Sequence, residues 1–186
     1  MIPVEVVVRN IATGSYLKRN PSIAEGSDLG DVVEFFYKTK GRRIGEQVLP
    51  CDDPLMIWDA IENYYLYNPS MLIDDGQITR LDIPGDESKK LRSQLTKCHD
   101  IAGKVNEHLW EGWHNLGGEL WDFKLEFGVN SEGKIVLADV VDCDSWRVMW
   151  RGIQLSKQVY RNGGNLEDVL MVYRLAKSLT DRFIDL

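Results

Sequence analysis

Trp121-Asp122-Phe123-Lys124-Leu125-Glu126-Phe127-Gly128 alternates without a break between large apolar and charged side chains. A period of two is the signature of a β-strand with one buried face. Trp121, Phe123, Leu125 and Phe127 fall on the core side. Asp122, Lys124 and Glu126 fall on the other, presenting carboxylate, ammonium and carboxylate at intervals of about 7 Å. A solvated amphipathic strand would read the same way from this segment alone, but the next stretch of chain shifts the balance. Asn130-Ser131-Glu132-Gly133 makes a short turn, and Lys134 to Asp142 is apolar except near its end, so the two segments read as a hairpin. If the turn pairs residues whose numbers sum to about 263 or 265, Asp139 faces Lys124 or Glu126. An acid amid Leu137, Ala138 and Val140 is expected to be partly buried, and a buried carboxylate needs a partner. Glu126 and Asp139 then form a two-carboxylate oxygen site. Such a site suits Mg²⁺, which takes one or two carboxylates and otherwise water and phosphate oxygens. Lys124 beside it would offset the charge of a bound phosphate. Asp142, Asp144 and Arg147 extend the polar cluster downstream.

Upstream, Val4 to Val8 is short and β-branched and reads as a strand, and Gly14-Ser15 ends that unit. Lys18-Arg19-Asn20-Pro21 reads as a basic turn. Asp31 to Tyr37 reads as a second strand, and Lys38 to Pro54 as a polar, Gly-rich loop or small hairpin. Ile57 to Tyr67 carries Trp58, Ile61, Tyr64, Tyr65 and Leu66 at spacings that fit a helix, and Asn68 to Gly85 reads as loop with a short strand at Ile78 to Leu81. The clearest helix runs from about Glu87 to Trp113, since Leu91, Leu95, Cys98, Ala102, Val105, Leu109 and Trp113 recur at three and four residues. Gly117-Gly118 ends it. A last amphipathic helix follows Gly163-Gly164-Asn165, with Leu166, Val169, Leu170, Tyr173, Ala176 and Leu179 on its apolar side. Arg9, Ser15, Lys18 and Arg19, joined by Arg147, Lys157 and Arg161, form a second constellation. A tight turn offers backbone N–H groups and a hydroxyl to an anion, and converging bases point to phosphorylated ligands.

Composition bounds these readings. The chain has 186 residues, which at ~150 residues per domain predicts one domain over residues 1–186. Its net charge is −7, with 44% apolar and 27% charged residues, the mix of a globular protein. An acidic chain lacks the basic face of a general nucleic-acid binder. No apolar stretch approaches the ~20 residues of a membrane span, and no signal peptide is expected. Three scattered cysteines show neither zinc nor disulfide spacing, so a reducing cytoplasm is the expected location.

MIPVEVVVRNIATGSYLKRNP, then FFYK, WDFKLEFG, IVLADVVDCDSWR and KQVYR, in that order, resemble the SAICAR synthetase (phosphoribosylaminoimidazole-succinocarboxamide synthase) family. The resemblance implies an α+β fold of ATP-grasp/kinase-like type, namely its C-terminal lobe, with an antiparallel sheet flanked by helices. It implies an ATP-dependent carboxylate–amine ligase of purine biosynthesis. The carboxylate of carboxyaminoimidazole ribonucleotide is activated by ATP as an acyl phosphate. The amine of L-aspartate then attacks, giving the succinocarboxamide, ADP and phosphate, with Mg²⁺ and ATP as cofactor and co-substrate. Carried over by motif, Arg9, Ser15 and Arg147 resemble ligands of the ribonucleotide phosphate, and Glu5 an acid near the substrate carboxylate and its metal. Asp122 and Lys124 resemble substrate- and nucleotide-contacting residues, and Glu126 and Asp139 the Mg²⁺–nucleotide ligands. Lys124, Glu126 and Asp139 are thus the expected catalytic residues. Lys38 and Asp53 resemble substrate-site residues, and Lys157 and Arg161 the basic pair closing the site.

Departures fall on the aspartate side. Thr39 and Lys40 stand where the family often has an acidic pair, Gly41 to Cys51 reads as an insertion, and Ser156 opens the K-Q-V-Y-R block. The family's glycine-loop lobe is expected to be absent, with neither G-x-G-x-x-G nor P-loop in the chain. A homo-oligomer is expected to cover the edges this leaves, with Trp58, Tyr64, Tyr65, Trp110 and Trp113 as candidates for the contact, although core packing is the expected fate of most of them. A non-catalytic binder of a purine intermediate or nucleotide, or half of a split enzyme, is the alternative, and the same chemistry on another amino acid is a third.

Overall fold

The structure, a computed structural model, describes residues 1–61 and 63–185. The β-branched run after Pro3 becomes β1 (Val4–Ile11), which reaches beyond the expected Val8. Where a basic turn was expected, the short helix α1 (Ser15–Arg19) follows Gly14. β2 (Asp28–Tyr37) returns antiparallel to β1 and begins earlier than Asp31. The polar segment after Tyr37 contains the small hairpin β3 (Arg43–Ile44) and β4 (Gln47–Val48).

The helix expected at Ile57 to Tyr67 is not there. Two strands stand in its place, β5 (Leu55–Trp58) and β6 (Tyr64–Tyr67), paired from Leu55–Tyr67 to Trp58–Tyr64. Tyr64 and Leu66 are buried while Tyr65 and Tyr67 are half-buried, a period of two. Asp59 makes the turn, its Oδ1 accepting from the N–H groups of Ile61 (3.0 Å) and Asn63 (2.9 Å). Short apolar runs fit either period, and strand neighbours on both sides decided this one. After α2 (Ile73–Gly76), β7 (Gln77–Leu81) matches the expected short strand.

Helix α3 (Gly85–Asn115) is the longest element and buries Leu91, Leu95, Cys98, Ala102 and Trp113. Asp86 and Glu87 lie in its first turn, where the helix dipole favours acids. Gly117 ends it with φ +72°, a conformation open to glycine at no steric cost. β8 (Gly118–Val129) is the strand predicted from alternation. Its partner β9 (Ile135–Leu137) is much shorter than Lys134 to Asp142. Phe127 pairs with Leu137 and Gly128 with Val136, midway between the two registers expected. β10 (Trp146–Trp150), β11 (Ile153–Gln154), α4 (Gln158–Arg161) and α5 (Leu166–Thr180) complete the chain, with a 3₁₀ turn at Asp181–Asp185.

Nine of the described strands make one antiparallel sheet, in the order β11-β10-β8-β1-β2-β5-β6-β7, with β9 also on β8. Its two faces differ in chemistry. Val4, Val6 and Val8 of β1, Phe35 of β2 and Phe123, Leu125 and Phe127 of β8 join α3 and α5 in the main core. Burying each such side chain is worth about 1.5–3 kcal/mol, which fixes which face is inward. Asn10 is the polar exception on this side. Its amide exchanges two 2.9 Å hydrogen bonds with Asn106 of α3 and donates a third to the Leu120 carbonyl. The opposite face carries the charges and only a small apolar cluster of Val7, Phe36 and Leu55.

Candidate functional site

β1 is central, so its charged face meets neighbours on both sides. Glu5 lies opposite Glu126 and Arg9 opposite Asp122 on β8, while Arg147 of β10 lies opposite Asp122. On the other flank Glu34 of β2 lies opposite Val7. Alternation therefore places Glu5, Arg9, Glu34, Asp122, Lys124, Glu126 and Arg147 on one side of the sheet.

These residues divide into a buried lattice and an open cluster. In the lattice, Arg9 Nε donates to Glu34 Oε2 at 2.6 Å and Arg9 Nη1 to Asp122 Oδ2 at 2.7 Å. Arg147 Nη1 donates to the same Asp122 oxygen at 2.7 Å. Arg19 of α1 donates to Glu34 Oε1 and, at 2.9 Å, to the Pro69 carbonyl. The Arg9 side chain is 4% exposed and Arg19 1%, whereas Arg147 is 25% exposed. Arg147 is thus the most exposed guanidinium of the lattice. Burial pushes the Asp122 carboxyl above its ordinary value, against the pull of the Arg147 and Arg9 guanidiniums. Arg9 Nη2 donates to Ser15 Oγ at 3.3 Å, which leaves the hydroxyl proton free to donate elsewhere. Gly14, with φ +60°, passes so close to Arg147 that a Cβ there would stand 2.8 Å from Nη1.

The open cluster is built from two lysines and three carboxylates. Lys38 Nζ lies 3.0 Å from Asp53, 3.4 Å from Glu5 and 3.4 Å from Glu126. Lys124 Nζ lies 3.6 Å from Glu5 and 3.9 Å from Glu126. Burial alone would lower the Lys38 value. The hydrogen bond to Asp53 and the charges of Glu5, Asp53 and Glu126 outweigh it and raise Lys38 above the ordinary lysine range. Asp53 is held by the Thr39 N–H at 2.9 Å and adopts φ +39°, uncommon for a residue other than glycine.

A cavity of about 370 Å³ opens over both groups. Glu5, Arg9, Ser15, Asp53, Asp122, Lys124, Arg147, Lys157 and Arg161 line it, nine of the residues expected from sequence. Lys38 joins them through its ion pairs with Glu5 and Asp53, and Glu126 through Lys38 and Lys124. Asp139 does not join. The register places Ala138 next to Glu126, the Ala138 N–H donating to the Glu126 carbonyl at 3.0 Å. Asp139 is exposed, its carboxylate accepting from the Val140 N–H at 2.9 Å. The expected burial of Asp139 failed because β9 stops at Leu137. Lys18 is likewise exposed, and Arg19 is committed to Glu34 rather than to an anion.

Sequence reasoning missed Glu34 and Tyr173. Glu34 had a signal, since an acid inside Val32-Val33-Glu34-Phe35-Phe36 must find a cation or stay neutral. Tyr173 was read as apolar, yet its hydroxyl donates to Asp144 Oδ1, and Lys157 Nζ pairs with Asp144 Oδ2 at 3.1 Å. Together they hold the Asp144 carboxyl below its usual range, the Tyr173 hydrogen bond being the largest cause. Cys143, also at the cavity, is a thiol pushed up to about 11 by burial. Among the described residues no group of three or more His, Cys, Asp or Glu is placed to hold a metal. The hard-oxygen donors gathered here are Glu5, Asp53 and Glu126, all paired with Lys38, and Glu5 and Glu126, which face each other across β1 and β8, are of the kind that suits an ion bringing phosphate and water oxygens with it.

The family model described as SAICAR synthetase matches residues 1–49 and 67–174. The stretch between those blocks holds β5 and the start of β6. A Caenorhabditis elegans protein, "Probable multifunctional protein ADE2", is 40% identical over 167 residues, covering 87% of this chain and 33% of that protein. The phosphoribosylaminoimidazole-succinocarboxamide synthase of Roseiflexus sp. (strain RS-1) is 34% identical over 194 residues, covering 100% of this chain and 65% of the relative. The solved "SAICAR synthetase (Type-2) in complex with ADP" superposes with a TM-score of 0.65 at 29% identity, covering 95% of this chain and 62% of that one. The chain spans less than two thirds of the length of each of these proteins.

Proposed function

The chain belongs to the SAICAR synthetase family, and from that membership we propose that it performs the family's ligation, joining L-aspartate to carboxyaminoimidazole ribonucleotide at the expense of ATP. The observation that carries the reading is the junction, in one cavity, of an anion-binding rim with a lysine–carboxylate cluster. Ser15, Arg147, Lys157 and Arg161 hold the ribonucleotide phosphate, with Arg9 and Asp122 fixing Arg147 from behind. Lys38, Lys124, Glu5 and Asp53 surround the substrate carboxylate.

In the reaction a carboxylate oxygen attacks the γ-phosphorus of ATP and ADP leaves. The amine nitrogen of aspartate then attacks the acyl carbon, phosphate leaves and the nitrogen loses its proton. Lys38 and Lys124 compensate the negative charge that accumulates on the transferring phosphoryl group, the main demand of such a step. Lys38 stays protonated throughout, because its raised value keeps the ammonium form. Glu126, with Glu5 in the place expected for Asp139, would hold a Mg²⁺ ion brought by the nucleotide, which would add charge neutralisation there. The three cysteines are free thiols, the observation that supports a cytoplasmic setting for this ligation; among the described residues no helix is long and apolar enough to cross a membrane.

Incubating the purified chain with the ribonucleotide, L-aspartate and Mg-ATP tests the reading. ADP and the succinocarboxamide should appear together in equal amounts. Ribonucleotide binding by calorimetry with no ADP formed would replace ligation by a purely binding role.

A further inference from the structure

We infer that the fork between β2 and β5 is a binding site for a small, neutral, planar aromatic molecule. The two strands pair at Phe36–Leu55 and Phe35–Met56 and no further. Val33 and Trp58 come next in that register, and there the strands part. β5 continues along β6 as far as Trp58–Tyr64, and β2 continues along β1. The parting leaves a slot of about 460 Å³. Its walls come from both sides of the sheet. Val33, Phe35 and Trp58 belong to the main core, and Leu55 and Ile73 to the small apolar cluster on the charged face. The slot therefore passes between the strands rather than lying on one face.

The slot is separate from the cavity of the proposed ligation and does not rest on that reading. No residue lines both. β5, which forms one side of the fork, lies wholly in the stretch that the family model leaves unmatched. A part of the chain that departs from the family model thus builds the slot.

The occupant follows from the walls. Tyr16, Phe35 and Trp58 supply ring surface, and Val33, Met56 and Ile73 supply aliphatic surface. Apolar pockets of this size with a few polar groups are the usual seats of small organic ligands. A slit between two strands admits a flat molecule more readily than a bulky one. Trp58 is fixed before any ligand arrives. Its ring meets Phe35 edge-on at 5.1 Å, and the Arg92 guanidinium lies 5.1 Å from its centre. A wall held in advance lowers the ordering cost of binding. Charge is excluded because none is left to answer it. Arg19 and Glu34 line the slot but pair with each other, Arg19 also with the Pro69 carbonyl and Glu34 also with Arg9. His99 stands at the rim with its side chain 59% exposed. A charge buried without a partner is costly.

The test uses N-phenylnaphthylamine, a neutral probe whose emission rises in apolar surroundings, and anilinonaphthalene sulfonate, which adds a negative charge to the same rings. The wild type should take up the neutral probe at a single saturable site. Val33→Trp fills the slot. Ile57→Glu sets a charge at its rim, at a position 37% exposed where the core is not burdened. The urea midpoint of each variant reports whether it folds, and Ile57→Glu carries the test alone if Val33→Trp does not. Both should weaken the neutral probe about tenfold or more, which is about 1.4 kcal/mol. Leu170→Ser/Met171→Ser, which thins the exposed apolar surface of α5, should leave it within about twofold. The sulfonate should bind the wild type about tenfold more weakly than the neutral probe. Unsaturable uptake, unchanged affinity in Ile57→Glu, or an equal loss in the α5 variant would overturn the site. Sulfonate binding as tight as that of the neutral probe would overturn the neutral class of ligand.

Discussion

At the residue scale, Glu34 holds together two guanidiniums that are themselves buried. Removing one partner of a buried ion pair leaves an uncompensated charge and costs about 3–5 kcal/mol. Glu34→Ala should therefore lower the urea midpoint sharply with little change in slope, and Glu34→Asp should recover part of the loss. Glu126 and Asp139 separate under the same treatment. Glu126→Gln should raise the magnesium concentration needed for half-maximal turnover by tenfold or more, while Asp139→Asn should shift it less. Equal effects would restore Asp139 to the pair. Lys38 gives a pH prediction. Its folded value lies above the ~10.4 of an unfolded lysine, so its charge-linked stabilisation is complete below that pH and is lost only as pH rises toward the folded value. The stability gap between wild type and Lys38→Met should be flat from neutral pH to about pH 10 and shrink above it.

Elements show where periodicity was enough and where it was not. α3 and β8 were legible because each repeats its pattern over many residues, so chance matches to the wrong period are few. Ile57 to Tyr67 was too short for that, and its aromatic spacing fitted both periods until β2 and β7 supplied partners. β9 failed differently, since its length is set by tertiary pairing that its apolar residues do not encode. Asn10 and Asn106 tie α3 to β1 inside the core. Asn106→Leu would strand the Asn10 amide, and an unsatisfied buried group costs about 1–3 kcal/mol. Chemical denaturation of Asn106→Leu and of the double variant Asn10→Leu/Asn106→Leu checks this, because the double variant should cost less than the sum of the single ones. Gly112 of α3 faces Phe183, and a Cβ there would stand 2.7 Å from its ring. Gly112→Ala should unseat the edge-on contact of Phe183 with Trp113 and quench or shift the tryptophan emission.

On the scale of the whole molecule, the part of the candidate site on β8 was legible because the alternation of Asp122, Lys124 and Glu126 can be read off the chain. What tied the strands together was not legible. The lattice joins residues 9, 19, 34, 122 and 147, and no local pattern links positions so far apart. Of the aromatics weighed for self-association, Tyr64 and Trp113 lie in the core, the fate expected for most of them, while Trp110, 48% exposed, stacks on His114. Exposed Leu166, Leu170 and Met171 along α5 remain as apolar surface for a second copy. Sedimentation should then give a mass above 21.3 kDa at high protein concentration, and an unchanged monomer would remove the oligomer.

The buried lattice has a further consequence in its own arithmetic. Three guanidiniums are shared between two carboxylates, so it is a salt short of one counter-ion. The unbalanced charge lies at Arg147, where the cavity opens. A phosphate-bearing ligand would complete it, and a ligand that binds only the folded chain stabilises that chain in proportion to its occupancy. Melting temperature should climb with ribose 5-phosphate in the wild type and stay level in Arg147→Met, which would make thermal stability a meter of phosphate-ligand occupancy.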